Sequence, residues 1–208
     1  MHYYSESTGG FYDTTIHTTW PEDVVEITAE YHATLLAGQA QGKTIMPGKD
    51  GKPLLTVPAP SHLHRWNGKE WTLDKAAASQ LLAEAIDNGT KVINDLVGEA
   101  YRHVTRFGPE YQLREQQAIE YKAGGYKGEL PTQIAAFAAP AGKEGKEATD
   151  IILAQAAKLR ATLEQLGILR MKKLELKNLK TAAEVDKRAA EIVAAIQPHL
   201  HELEKVGK

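Results

Sequence analysis

The sequence predicts an α+β protein: a small N-terminal module of short β-hairpins, then a mainly helical C-terminal domain ending in a long antiparallel helix pair. Three observations carry this. Composition changes near residue 73, with five of the nine prolines and all three tryptophans before it and a chain rich in Ala, Leu, Glu, Lys and Gln after it. Turn-forming clusters punctuate the first part at short intervals. Apolar residues recur at helical spacing through most of the second. The expected domains are therefore 1–73 and 74–208, with a further boundary at 141–147, where Ala141-Gly142-Lys143-Glu144-Gly145-Lys146 reads as a polar linker.

In the first part, Tyr3-Tyr4 and Phe11-Tyr12 flank Ser7-Thr8-Gly9-Gly10, the pattern of a short hairpin. Val24-Val25-Glu26-Ile27 reads as a strand. Thr28 then suits a helix N-cap, because its hydroxyl can accept from a first-turn N–H, and Glu30 falls where the helix dipole favours negative charge. That helix should pass through Tyr31, Leu35 and Leu36 and stop near Gly38 or Gly42. Thr44-Ile45-Met46 and Leu54-Leu55-Thr56-Val57 surround Pro47-Gly48-Lys49-Asp50-Gly51-Lys52-Pro53, which makes a second hairpin. The stiff Pro58-Ala59-Pro60 follows.

The sharpest local signal is His62-Leu63-His64-Arg65-Trp66-Asn67-Gly68-Lys69-Glu70-Trp71-Thr72. Asn-Gly favours a two-residue type I′ turn. Such a turn sets Trp66 opposite Lys69 and His64 opposite Trp71, with His62, His64, Trp66, Lys69 and Trp71 on one face. The face is either a packed aromatic ladder or a partner-facing patch.

A helix begins after Thr72 and carries Leu81, Leu82, Ile86, Ile93, Leu96, Val97 and Tyr101, with a bend or break expected around Asp87-Asn88-Gly89. Gly108-Pro109 restarts a helix that stops at Gly124-Gly125. There, Tyr121-Lys122-Ala123-Gly124-Gly125-Tyr126 fits a Schellman-type stop with packed tyrosines, or else a partner surface. Leu130-Pro131 opens a short helix over Ile134 and Phe137. The longest helix should run from about Thr149 to Lys180. Thr181-Ala182-Ala183-Glu184 is a capping box that starts the last helix, and a tight turn near residue 180 would make the pair antiparallel.

The chemistry on offer is sparse. A formal charge of −2 does not fit wholesale binding to nucleic acid or to an anionic membrane, each of which needs a basic field. Zero cysteines remove disulfides, thiolate metal sites and cysteine nucleophiles. No signal peptide and no apolar run of about 20 residues is visible, so synthesis in the cytosol is expected. His62 with His64, and His199 with His201, are spacings that invite a metal; the first has no carboxylate at a matching spacing and reads as packing against Trp66, and the second, near Glu202 and Glu204, reads as a solvated helix end. No metal or other cofactor is implied. Asp23 with Glu26, and Glu110 with Glu115, are carboxylate pairs that read as solvated faces. The lysines of Arg170-Met171-Lys172-Lys173-Leu174-Glu175-Leu176-Lys177 alternate with leucines as on an exposed helix. No phosphate loop, dinucleotide fingerprint or nucleophile elbow occurs, and no enzymatic activity is expected.

Two segments resemble a known family. Tyr3 to Tyr12, followed by Pro21-Glu22-Asp23-Val24-Val25-Glu26-Ile27-Thr28 and Leu35-Leu36-Ala37-Gly38-Gln39-Ala40-Gln41-Gly42-Lys43, resembles the start of many tailed-phage tail fibre assembly and tail proteins. Arg65-Trp66-Asn67-Gly68-Lys69-Glu70-Trp71-Thr72-Leu73-Asp74 is similar to the Trp-Asn-Gly-x-x-Trp-x-x-Asp hairpin of the assembly proteins. The C-terminal part lacks the short proline- and tryptophan-containing tail of those proteins and resembles helical regions of other phage tail proteins.

The resemblance implies a chaperone that binds the distal end of a phage tail fibre protein and aids its folding or trimerisation in the host cytoplasm. A structural tail or tail-fibre accessory protein of the virion, involved in host attachment, is the alternative. Partner contacts are expected at Tyr3, Tyr4, Phe11, Tyr12, Trp20, Trp66 and Trp71, and the leucine-rich C-terminal helices allow self-association.

Overall fold

Short strands dominate the first eighty residues because four-residue runs of aromatic and β-branched side chains are interrupted by glycine, proline and aspartate turns. A computed structural model describes residues 1–206, with the side chains of all but residues 103 and 204–206. Residues 207–208, which end the expected C-terminal domain, lie outside the described residues. The chain packs as two units, Met1–Leu81 and Leu82 onward. The class is α+β.

In the first unit, β1 (His2–Ser5) pairs antiparallel with β2 (Gly10–Asp13) on one side and β3 (Val24–Ile27) on the other. Tyr3 stands opposite Tyr12 and Glu26, and Tyr4 opposite Phe11 and Val25. Side chains alternate along a strand, so Tyr4 turns to one face and Tyr3 to the other. Tyr4, 1% exposed, centres the core with Ile27 and Leu35, and Phe11, Val25, Ile45 and Leu55 pack around it.

Helix α1 (Ala29–Ala40) contributes Leu35 to this core. Thr28 caps it, its Oγ1 accepting from Tyr31 N at 3.1 Å. Of the two glycines expected to end the helix, Gly42 follows its last turn with φ of 85°, whereas Gly38 lies inside it. A Cβ on Gly38 would come within 2.4 Å of Leu55 Cδ1, so the missing side chain is what lets α1 approach the second hairpin, β4 (Thr44–Pro47) and β5 (Pro53–Thr56).

The third hairpin departs from expectation. β6 (Arg65–Trp66) and β7 (Trp71–Thr72) place Trp66 opposite Trp71, not Lys69, and so enclose a four-residue loop. A type I′ turn needs positive φ at both central residues, yet only Gly68 has it, at 87°. Asn67 instead uses its Oδ1 to accept from Lys69 N and Glu70 N, both at 2.9 Å. His64 bonds Ser61 Oγ at 2.7 Å and does not stand opposite Trp71.

α2 (Lys75–Thr105), most of it in the second unit, is continuous for 31 residues, with Asp74 accepting from Ala77 N at its start. The expected break at Gly89 does not occur. A Cβ there would meet Leu176 Cδ1 at 3.0 Å and Ala189 Cβ at 3.1 Å, so this glycine provides close packing and not a hinge. The long helix expected over 149–180 is α5 (Gly145–Met171), which tightens into a 3₁₀ segment, Lys172–Asn178. Tightening turns Leu176 fully inward, where it packs with α2 and α6 (Ala182–Val206).

The antiparallel pairing of α5 and α6 is present, tied by Lys158–Glu202 at 2.6 Å, and the 3₁₀ segment is tied to α6 by Arg188–Glu175 at 2.6 Å. Thr181 and Glu184 form the expected capping box: Glu184 N donates to Thr181 Oγ1 at 3.2 Å, and Thr181 N to Glu184 Oε2 at 3.0 Å. α6 runs through Pro198, so His199 and His201 sit on a helix, where i and i+2 point to different faces.

The N-terminal half of α5 builds a second core with α3 (Gly108–Ala123) and α4 (Thr132–Ala141), around Ala118, Ile134, Ala138, Ala148 and Ile152. The stretch expected as a linker at 141–147 is a tight corner between α4 and α5, and Gly145 lies against Leu130. Among the described residues, no helix is long and apolar enough to cross a membrane.

The two interior glycines of α2 should answer differently to substitution. Gly89→Val should destabilise by about 1–3 kcal/mol by overpacking against Leu176 and Ala189. Gly98→Ala, whose Cβ meets nothing within 4 Å, should stabilise by about 0.5–1 kcal/mol. Urea melts of both variants check the pair.

Candidate partner-binding surface

The loop between β1 and β2 would be free to sway were it not tied to the chain just before β3. Asp23 accepts from Ser5 Oγ at 2.8 Å, Ser7 N at 2.7 Å and Ser7 Oγ at 3.0 Å. These donors, the Ser7 amide foremost, hold the Asp23 carboxyl below the usual carboxylate range. The clamp fixes the outer face of the three-stranded sheet.

On that face Tyr3 stacks on Trp20, with centroids 5.9 Å apart and planes 15° from parallel. Tyr12, Tyr3's cross-strand partner, packs edge-on to His17 at 5.2 Å and donates its hydroxyl to Thr8 Oγ1 at 3.0 Å. Glu26 completes the row on β3. Trp20 is 41% exposed. Tyr3, Tyr12 and Trp20 thus form one outward aromatic surface.

Tyr4 and Phe11 do not share it. Tyr4 is buried, and burial raises its hydroxyl pKa, helped by Glu6 and Asp23. A partner cannot reach it with the fold intact. Phe11 packs edge-on to His32 at 4.6 Å on the core side, and His32 in turn stacks on His2 at 4.6 Å. His2 pairs with Asp13 at 3.1 Å. Burial, and next the neighbouring His2, lower the pKa of His32. Nothing in the linear spacing of residues 2, 11, 13 and 32 marks this cluster, because the sheet register and α1 bring it together.

Trp66 and Trp71 are half-buried and meet edge-on at 5.3 Å. Their indole N–H groups donate to Pro47 O at 2.6 Å and Val57 O at 2.9 Å. This hairpin is a staple across the chain around β4 and β5, which favours the packed-ladder reading over the partner-facing one.

The other candidates resolve into internal contacts. At the end of α3, Tyr126 N bonds Tyr121 O and Gly125 N bonds Lys122 O, both at 3.0 Å, the Schellman pattern. The Tyr126 hydroxyl donates to Asp150 Oδ1 at 2.8 Å, and Lys122 reaches the same oxygen at 2.8 Å. Lys122 is the main cause of the lowered Asp150 pKa.

Glu110 pairs with Arg114, Glu115 pairs with Arg160, and Lys173 donates to Asn94 at 2.6 Å. Among the described residues, no three His, Asp or Glu side chains are grouped to hold a metal ion.

No protein-family model and no solved structure matches the chain. Two phage proteins are similar to it. A 23.3 kDa protein of Haemophilus phage HP1, encoded in the lys 3′ region, is 38% identical over 119 residues, 57% of this chain and 60% of the relative. The "Probable tail fiber assembly protein" of Shigella phage SfV is 34% identical over 114 residues, 49% of this chain and 67% of the relative. The chain is thus a bacteriophage protein. It belongs to the group of phage proteins that includes the SfV protein, and it spans about 60% of the length of the HP1 relative.

Staple and surface separate experimentally. Trp66→Ala should cost about 2–3 kcal/mol, losing an indole hydrogen bond and an aromatic contact, whereas Trp20→Ala should stay within about 1 kcal/mol of the parent in the same melts. Asp23→Asn should lower Tm at pH 7, since the amide cannot accept all three bonds. A depressed carboxyl stabilises above its unfolded pKa, about 3.9, and loses that contribution as pH falls through the lower folded value. The Tm gap between parent and variant should therefore close below about pH 4, as a pH series of melts would show.

Proposed function

We propose that the chain is a tail fibre assembly chaperone of a tailed bacteriophage or prophage, binding the distal end of its fibre and aiding folding and trimerisation. The similarity to the SfV protein carries this reading. The physics is consistent with it. A trimeric fibre exposes long β edges and apolar faces while it folds, and these aggregate unless covered. A sheet that presents Tyr3, Tyr12 and Trp20 outward offers rigid amphipathic contact area of the kind enriched at interfaces.

In this reading the chain works by binding and not by catalysis, in the host cytoplasm during assembly. Ile168, Met171 and Leu174, three residues apart and about half exposed, offer the C-terminal helices a surface for self-association.

Co-expression of the phage's fibre protein with and without this chain tests the proposal, scored as soluble trimer on a sizing column. Trimer only in the presence of the chain is the expected result. A fibre that trimerises equally well alone would overturn it, and detection of the chain at fixed copy number in purified particles would then assign it to the virion tail.

A further inference from the structure

Strand ends in the first unit are mostly closed. On β2, Gly10 N donates to Thr8 Oγ1 at 3.2 Å, Asp13 N to His17 Nδ1 at 3.0 Å, and Asp13 O accepts from His17 N at 2.8 Å. Pro47 O at the end of β4 takes the Trp66 indole, and Pro53 O at the start of β5 takes the Tyr31 hydroxyl at 2.6 Å. Such bonds block the ends of those edges to another strand. Among the described residues, β3 has no such bond at either end. One edge pairs with β1 through all four residues; among the described residues, its other edge pairs with no strand and receives no side-chain hydrogen bond.

Two β3 residues, Glu26 and Ile27, line a concavity together with Tyr31, Asp50, Lys52 and Leu54. Ile27, Tyr31 and Leu54 give it apolar lining, and its charged lining has two carboxylates against one ammonium. Glu26 also ends the outward row Tyr12–Tyr3–Glu26, so a strand added at β3 would extend this row by one residue.

We infer that the outer edge of β3 is a strand-addition site that takes an extended segment of the fibre protein. That segment alternates apolar residues toward Ile27 and Leu54 with a lysine or arginine beside Glu26. Main-chain bonds to β3 supply the attachment, and the alternating side chains supply the selection. The inference rests on the assembly reading and names its contact.

Hydrogen exchange on the full-length chain, alone and in complex with the co-expressed fibre protein, is the test. The outward amides of Val24–Ile27 should exchange quickly in the free chain and slow at least tenfold in the complex, while β2 amides change little. Glu26→Lys combined with Asp50→Lys should weaken the complex at least tenfold while leaving Tm near that of the parent. A complex that forms with β3 exchange unaltered overturns the strand-addition site and leaves the chaperone reading standing. Failure of any complex to form overturns both.

Discussion

The first unit depends on one constraint: strands of two to four residues cannot bury enough surface to hold themselves together. An isolated two-stranded hairpin is marginal in water, and two of the three sheets here are no more than that. Side chains that reach from one small sheet to the backbone of another make up the difference. The Trp66 and Trp71 indoles bond carbonyls beside β4 and β5, and the Tyr31 hydroxyl bonds Pro53 O from α1. Each such bond satisfies a carbonyl that the short ladder leaves over, and each brings an aromatic ring with it. The aromatics of this unit are therefore divided between holding it together and facing outward, and only the second group is available to a partner.

The helical unit meets a different demand, since one helix serves two cores. The first half of α5 packs with α3 and α4 through Ala148 and Ile152, and the second half packs with α2 and α6 through Leu166 and Leu169. Small residues set the spacing where elements crowd: Gly89 under Leu176 and Ala189, and Gly145 under Leu130. Local capping then fixes the ends, most fully at the Thr181–Glu184 box, where donation from Lys180 N and Thr181 N holds the Glu184 carboxyl low.

Much of this was legible because it is local. The Thr28 cap, the capping box, the Schellman stop after α3 and the first two hairpins all depend on residues within a few positions of one another. Where tertiary packing decided, linear reading failed. Asn67-Gly68 would favour a two-residue turn in isolation, but the loop opened so that both indoles could reach carbonyls elsewhere. Gly89 looked like a break because its packing role depends on residues nearly a hundred positions away. Tyr4 and Tyr3 are chemically alike, and only the registry of β1 between two strands sends one to the core and the other outward. The Asp23 clamp and the His2–His32 stack were likewise invisible, being products of pairing between strands far apart in sequence.

The proposed assembly role makes the outward aromatics contact residues and not merely packing. The most direct measurement is capture of the co-expressed fibre protein by a variant carrying Tyr12→Ala and Trp20→Ala together, with its melting curve recorded beside that of the parent. A variant that melts with the parent and no longer captures the fibre is the predicted result. One that melts with the parent and captures the fibre as well as before would show that the contact lies elsewhere on the chain.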